Sequence, residues 1–144
     1  MKKPQNEMKL IVKSYSVNEG FARVAVSAFA AQLDMTLEDL SDIKTAVSEA
    51  VTNSIVHGYA NTIGNIYITC GIYDGNLIKI KIRDKGCGIK DVKKAMEPMY
   101  STLGGDRAGL GFSVMECFMD KLKVRSQPGK GTTVILEKRV SEKC

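Results

Sequence analysis

The stretch NIYITCGIYDGNLIKIKIRD, residues 65–84, decides the architecture. Ile66, Ile68, Cys70 and Ile72 alternate with Tyr67, Thr69 and Tyr73, which is the period of two expected of a strand over 65–73. Asp74-Gly75-Asn76 is a hairpin turn. The returning strand, 77–83, alternates Ile78, Ile80 and Ile82 with Lys79, Lys81 and Arg83. Strands covered on both faces read as continuous apolar runs, whereas here one face is apolar and the other carries cations. Helices should therefore cover one side of the sheet only.

Outward from this hairpin the same logic repeats. Leu122 and Val124 alternate with Lys121, Lys123 and Arg125, and the turn Gln127-Pro128-Gly129-Lys130-Gly131 leads into a last strand over 132–139. Towards the N-terminus, residues 8–15 read as a strand. A helix over 18–33 follows, with Phe21, Val24, Ala25, Ala28 and Phe29 as its expected apolar stripe. A second helix starts at Thr36, an N-cap with Asp39 three residues on, and runs to His57 before Gly58. Its stripe is Leu40, Ile43, Val47, Ala50, Val51 and Ser54. A third helix is expected near 109–119. The predicted fold is a two-layer α/β (α+β) sandwich on a mixed, largely antiparallel sheet, with the helices on one face.

Composition narrows the function classes. The 144 residues, 44% hydrophobic and 26% charged, suit one globular domain over 1–144. No stretch approaches the roughly 20 apolar residues of a membrane span, and Met1–Leu10 is polar, so a cytoplasmic protein is expected. The net charge of +5 would suit polyphosphates, acidic proteins or nucleic acid. The cations are scattered among acids, Trp is absent and aromatics are 6%, which argues against direct nucleic-acid binding. Cys70, Cys87, Cys117 and Cys144 have no Cys-x-x-Cys spacing and read as free thiols.

The place to look for function is 84–111, which holds six of the 13 glycines. A long glycine-rich connection inside a compact unit is typically a binding loop or lid. Four local patterns stand out. Glu49 and Asn53 lie one turn apart on the second helix, so both can meet one ligand as base and oxygen donor. The plain alternative is a solvated face shared with Glu38, Asp42 and Thr45, although Val56 on the same sector suggests that its end is covered. Asp84-Lys85-Gly86-Cys87-Gly88 follows a strand, with a carboxylate to accept from an amine and glycines that let the backbone approach; an ordinary turn would read the same way. Gly104-Gly105-Asp106-Arg107-Ala108-Gly109-Leu110-Gly111 opens a helix, either as a phosphate cradle or as a hinge. Gly131-Thr132-Thr133 alone is a hairpin exit.

Their order is more specific than any one of them. Helical Glu-x-x-x-Asn, then Asp-x-Gly-x-Gly after a strand, Gly-x-Gly at a helix start and Gly-Thr-Thr before a strand resembles the ATP-binding fold of gyrase, MutL and histidine kinases, the GHKL or Bergerat fold. SEAVTNSIVHGY (48–59), FARV (21–24), AQLD (31–34), IRDKGCGI (82–89) and GLGFSVMECFMD (109–120) further resemble the anti-sigma-F family of endospore formers, which are serine-protein kinases. The likeness covers roughly 7–138. It implies that Asn53 ligates the Mg²⁺ of bound ATP and that Glu49 takes the proton from the attacking serine. It implies that Asp84 binds the adenine amine, that Gly86 and Gly88 shape the pocket, and that Thr132 lies near the base. Gly109 and Gly111 would close on the phosphates, residues 97–108 would form the lid, and Arg107 would sit at the partner interface. The lid, Ser101-Thr102-Leu103-Gly104-Gly105-Asp106-Arg107, is one residue shorter than the family pattern and lacks its Lys, and Lys85 stands where an acid is common.

The activity so implied is ATP–Mg²⁺-dependent phosphorylation of a serine on an anti-anti-sigma protein, together with inhibition of a sporulation sigma factor (sigma-F) by a homodimer. An anti-sigma kinase of a general stress response, and a module that holds nucleotide without transferring phosphate, are the alternatives. An autophosphorylating histidine kinase is disfavoured, because the one histidine, His57, ends the Glu49 helix as a cap. A gyrase-like ATPase would need a transducer domain.

Overall fold

The computed structural model describes residues 3–96 and 111–140. The chain order is β1 (Asn6–Lys13), α1 (Val17–Ala30), α2 (Leu37–Asn53), β2 (Asn65–Tyr73), β3 (Leu77–Asp84), α3 (Val92–Ala95), α4 (Phe112–Phe118), β4 (Lys121–Gln127) and β5 (Gly131–Arg139). The strands form one sheet in the order β1-β2-β3-β5-β4, and every ladder is antiparallel. The β2–β3 turn is tight because Asp74 and Gly75 both take positive φ, which brings the Asn76 N–H onto Tyr73 O at 3.2 Å.

The alternation works as expected. Ile78, Ile80 and Ile82 are buried beneath the helices while Lys79, Lys81 and Arg83 stay exposed on the opposite face. The core joins these isoleucines, Ile66, Ile68 and Leu136 to Ile43, Val47 and Val51 of α2 and Met115 of α4. Each such side chain removed to alanine would cost about 2–5 kcal/mol, so sheet and helices stand or fall together. Thr36 caps α2 as read, its Oγ1 accepting from Asp39 N–H at 3.0 Å.

Three details differ from the expectations. The second helix ends in one π turn, Ser54–Gly58, and Ser54, on the expected stripe, meets the end of β3. Of the stripe expected on α1 only Phe29 is buried; Phe21 and Val24 are 55% and 59% exposed, and the other buried residues are Ala22, Val26, Ser27 and Ala30. Val26 and Phe29 on the buried side match Val24 and Phe21 on the exposed one in size, so a count of large apolar residues does not fix the phase. Val56, expected to be covered, is exposed as well. No helix among the described residues is long and apolar enough to cross a membrane.

Candidate functional site

Asp84 is the last residue of β3, between Ile66 on β2 and Thr132 on β5 in register, and only 4% of it is exposed. A buried carboxylate is costly unless hydrogen-bonded, and this one is held from three sides. Ser54 Oγ donates to Oδ2 at 2.8 Å; the N–H groups of Gly86 and Thr132 donate to Oδ1 at 2.9 and 3.3 Å. The carboxylate is thus fixed in orientation by the π turn, its own following loop and the neighbouring strand.

That loop is pinned in turn. Lys85 N–H donates to the Tyr59 hydroxyl at 2.7 Å, and this hydroxyl donates to Asn65 O at 2.7 Å. Cys87 N–H reaches Gly58 O at 2.9 Å, and Ile89 N–H reaches Ser126 Oγ at 2.7 Å. Ser126 Oγ donates to Gly131 O at 3.0 Å, so in its 2.8 Å pair with Thr132 the Thr132 hydroxyl is the donor and keeps its lone pairs for a ligand. Gly86 has a steric reason to be glycine: a Cβ there would run into the Gly58 carbonyl.

These elements form a cleft lined by Asn53, Ser54 and Asp84 with Gly88 and Thr132, over apolar walls that include Ile89 and Phe112. Of the residues singled out from the sequence, Asn53, Asp84, Gly88 and Thr132 share this cleft, and Gly86 is bonded to Asp84. Glu49, one turn before Asn53, lies instead on an adjoining polar groove with Arg23, Lys44 and Ser48. Its carboxylate abuts Gly111, which takes φ +68° and has no room for a Cβ on that side. Burial raises the Glu49 pKa above the ordinary carboxylate value of 4.5. Gly109, Arg107 and the expected lid, 97–108, lie outside the described residues.

Sequence reasoning missed Ser54, Tyr59 and Ser126, whose hydroxyls orient Asp84, its loop and Thr132. A signal existed for the first: Ser54 is a polar residue on an otherwise apolar helical stripe, and a buried hydroxyl needs a partner. Cys70, Cys87 and Cys117 are unpaired thiols, and burial pushes Cys70 up to about 12.

The model of the histidine kinase-like ATPase domain matches residues 16–138, which defines the class. Solved structures agree at the level of fold. The RsbU and RsbW domains of a Mycobacterium tuberculosis protein superpose with a TM-score of 0.69 at 20% identity, over 95% of this chain and 32% of that one, so this chain spans about a third of it. The catalytic domain of histidine kinase ThkA gives 0.56 at 15% identity, over 91% and 96% of the two chains. Among curated relatives, the anti-sigma F factor of Thermoanaerobacter sp. (strain X514) is 57% identical over 94% of each chain. Those of Oceanobacillus iheyensis (51%, over 96% of this chain and 95% of that one) and Clostridium acetobutylicum (48%, over 94% of each) are similar throughout as well. The chain belongs to the anti-sigma F factor family.

Proposed function

We propose that the chain is an ATP- and Mg²⁺-dependent protein kinase that phosphorylates a serine of an anti-anti-sigma protein, and that it binds a sporulation sigma factor of the sigma-F type and holds it inactive in the cytoplasm. The observation that carries the nucleotide half is the buried, triply hydrogen-bonded Asp84 carboxylate in a cleft with apolar walls. One fixed acceptor between apolar surfaces suits an aromatic ring bearing an exocyclic amine. The amide oxygen of Asn53 is the hard donor that Mg²⁺ favours. The residues present therefore fit the nucleotide and its metal. The sigma half is supported by the names of the relatives.

Bound ATP–Mg²⁺ supplies the phosphoryl group and neutralises its charge. In this reading Asp84 accepts from the adenine amine, Gly86 and Gly88 let the backbone close on the ring, and Thr132 lies beside the base. Asn53 holds the metal, Gly109 and Gly111 close on the phosphates, and residues 97–108 cover them. Glu49 takes the proton from the partner's serine hydroxyl; its raised pKa makes it a stronger base than a surface carboxylate. The groove with Arg23 and Lys44 leads the serine to Glu49, and Arg107 meets the partner.

The whole of 1–144 acts as one unit, and the kinase works as a homodimer. In support, β1 is an edge strand with one side unpaired among the described residues, and α1 beside it exposes Val17, Phe21 and Val24. Apolar surface of that kind marks association. The direct test is incubation with γ-labelled ATP and extract of the source cells as the source of partner. Label on a serine of a small protein is expected with the native chain and none with Glu49→Gln; retention of nucleotide without any labelled protein would overturn the kinase reading.

A further inference from the structure

The helix-free face of the sheet carries a cation array that the nucleotide site does not use. Across three adjacent strands the register is Lys79–Glu137–Lys121, Lys81–Ile135–Lys123 and Arg83–Thr133–Arg125. Two rows of three cations, one on β3 and one on β4, thus flank a trough along β5. All six are exposed, and Ile135 and Glu137 lie in the floor of a depression rimmed by Lys79, Lys121 and Arg125. Glu137 is the single carboxylate on this part of the face among the described residues, and it is 4.0 Å from Lys79. Arg139, at the end of β5, is tied to Asn76 Oδ1 at 2.6 Å.

Protection of a sheet edge accounts for lysines on β4, which is an edge strand, but not for those on β3, which is the central strand. Lysine is depleted in strands, and cations facing one another across the trough repel, so a solvated face gains nothing from this arrangement. Spacing indicates what offsets the repulsion. Cations in one row are about 6.8 Å apart and the rows are about 10 Å apart. An extended polypeptide laid along β5 turns successive side chains to opposite sides and repeats on each side every ~6.8 Å. A run of Asp or Glu in that conformation meets one cation row with each set of carboxylates.

We infer that this face docks an extended acidic segment of a partner protein. A nucleic acid fits less well. Among the described residues the trough holds no aromatic ring for base stacking, and the nearby Tyr67 ring already has Arg83 and Lys85 over it at 5.8 and 5.1 Å. A duplex backbone also winds away from a flat array.

The test is fluorescence anisotropy of a fluorescein-labelled hexaglutamate peptide with the intact chain at low salt, with hexaserine, a short DNA duplex and phosphatidylserine vesicles as comparators. Binding of hexaglutamate and not hexaserine is expected, weakened about tenfold or more by Lys81→Glu/Lys123→Glu, because several modest exposed pairs are reversed together. ATP affinity should be unchanged, since the nucleotide cleft is on the other side of the sheet. Lys81→Gln/Lys123→Gln repeats the measurement without the reversed charges, should the first pair fold poorly. Hexaglutamate binding that survives both variants, absence of peptide binding, or tighter binding of duplex or vesicles than of peptide would each overturn the inference.

Discussion

Asp84→Asn separates recognition of the base from integrity of the fold. Three donors converge on the native carboxylate: Gly86 N–H and Thr132 N–H on Oδ1, Ser54 Oγ on Oδ2. An asparagine keeps its Oδ1 facing the two N–H groups and places its NH₂ where Oδ2 was. The Ser54 hydroxyl then rotates and accepts, so every buried polar group retains a partner. Stability should fall by about 1 kcal/mol, roughly 4 °C in Tm, as charged acceptors become neutral ones. The ligand loses more. The amine of adenine would face an NH₂ donor instead of a carboxylate, and a hydrogen bond to a charged group is worth about 1.5–3 kcal/mol. ATP should bind roughly ten- to a hundredfold more weakly. GTP has a carbonyl at that ring position, so its affinity should stay level or rise. Isothermal titration with both nucleotides reads the ratio directly. Equal losses for ATP and GTP would refute the reasoning, because the carboxylate would then be acting on the shape of the cleft and not on the amine.

Glu49→Gln should abolish phosphate transfer with ATP binding nearly intact; because the folded-state pKa is raised by burial, the native carboxylate costs stability above that pKa and nothing below about 4.5, so the variant should melt higher than the native chain at pH 7 and alike at pH 4, as scanning calorimetry would show. For the same reason the acid limb of the pH–rate profile should lie above the range of an unperturbed carboxylate. Gly111→Ala forces a side chain into φ +68° and against the Glu49 carboxylate; transfer should drop at least tenfold and stability by about 1–2 kcal/mol, measured by single turnover and urea melts. Lys138→Met removes a buried ammonium that donates to Phe118 O at 2.8 Å and lies 3.6 Å from Asp42 and 4.0 Å from Asp39, leaving two carboxylates at the start of α2 without it. A loss of about 2 kcal/mol or more is expected in urea melts, since an apolar side chain replaces the cation held between these carboxylates. Iodoacetamide at pH 8 should label Cys87 and Cys117 while the folded chain keeps Cys70 unmodified, which mass spectrometry of peptides would resolve.

Strand phase, helix caps and the order of the glycine motifs are local properties, and they were legible before any coordinates. A period of two needs only neighbouring residues, so Ile78, Ile80 and Ile82 point inward and Lys79, Lys81 and Arg83 outward in both readings. Thr36 declares itself as a cap because its partner, Asp39 N–H, is three residues away. The phase of α1 was not legible. Phe21 and Val24 on the exposed face are matched in size by Phe29 and Val26 on the buried one, so packing on α2, not residue size, chose the face.

The site divides along the same line. The residue types at Glu49, Asn53, Asp84 and Thr132, and their spacing along the chain, come from sequence alone, because each motif is a short run whose backbone is set by its own glycines and caps. That Asn53, Asp84 and Thr132 meet in one cleft, while Glu49 turns to the neighbouring groove, is decided by the packing of α2 on the sheet. The hydroxyls of Ser54, Tyr59 and Ser126 belong to the tertiary structure in the same way. Ser54 reaches a carboxylate 30 residues away, and only because α2 packs where its stripe meets the end of β3. Long-range hydrogen bonds depend on which elements lie side by side, and sheet order is what brings β3 and β5, 48 residues apart at Asp84 and Thr132, into contact.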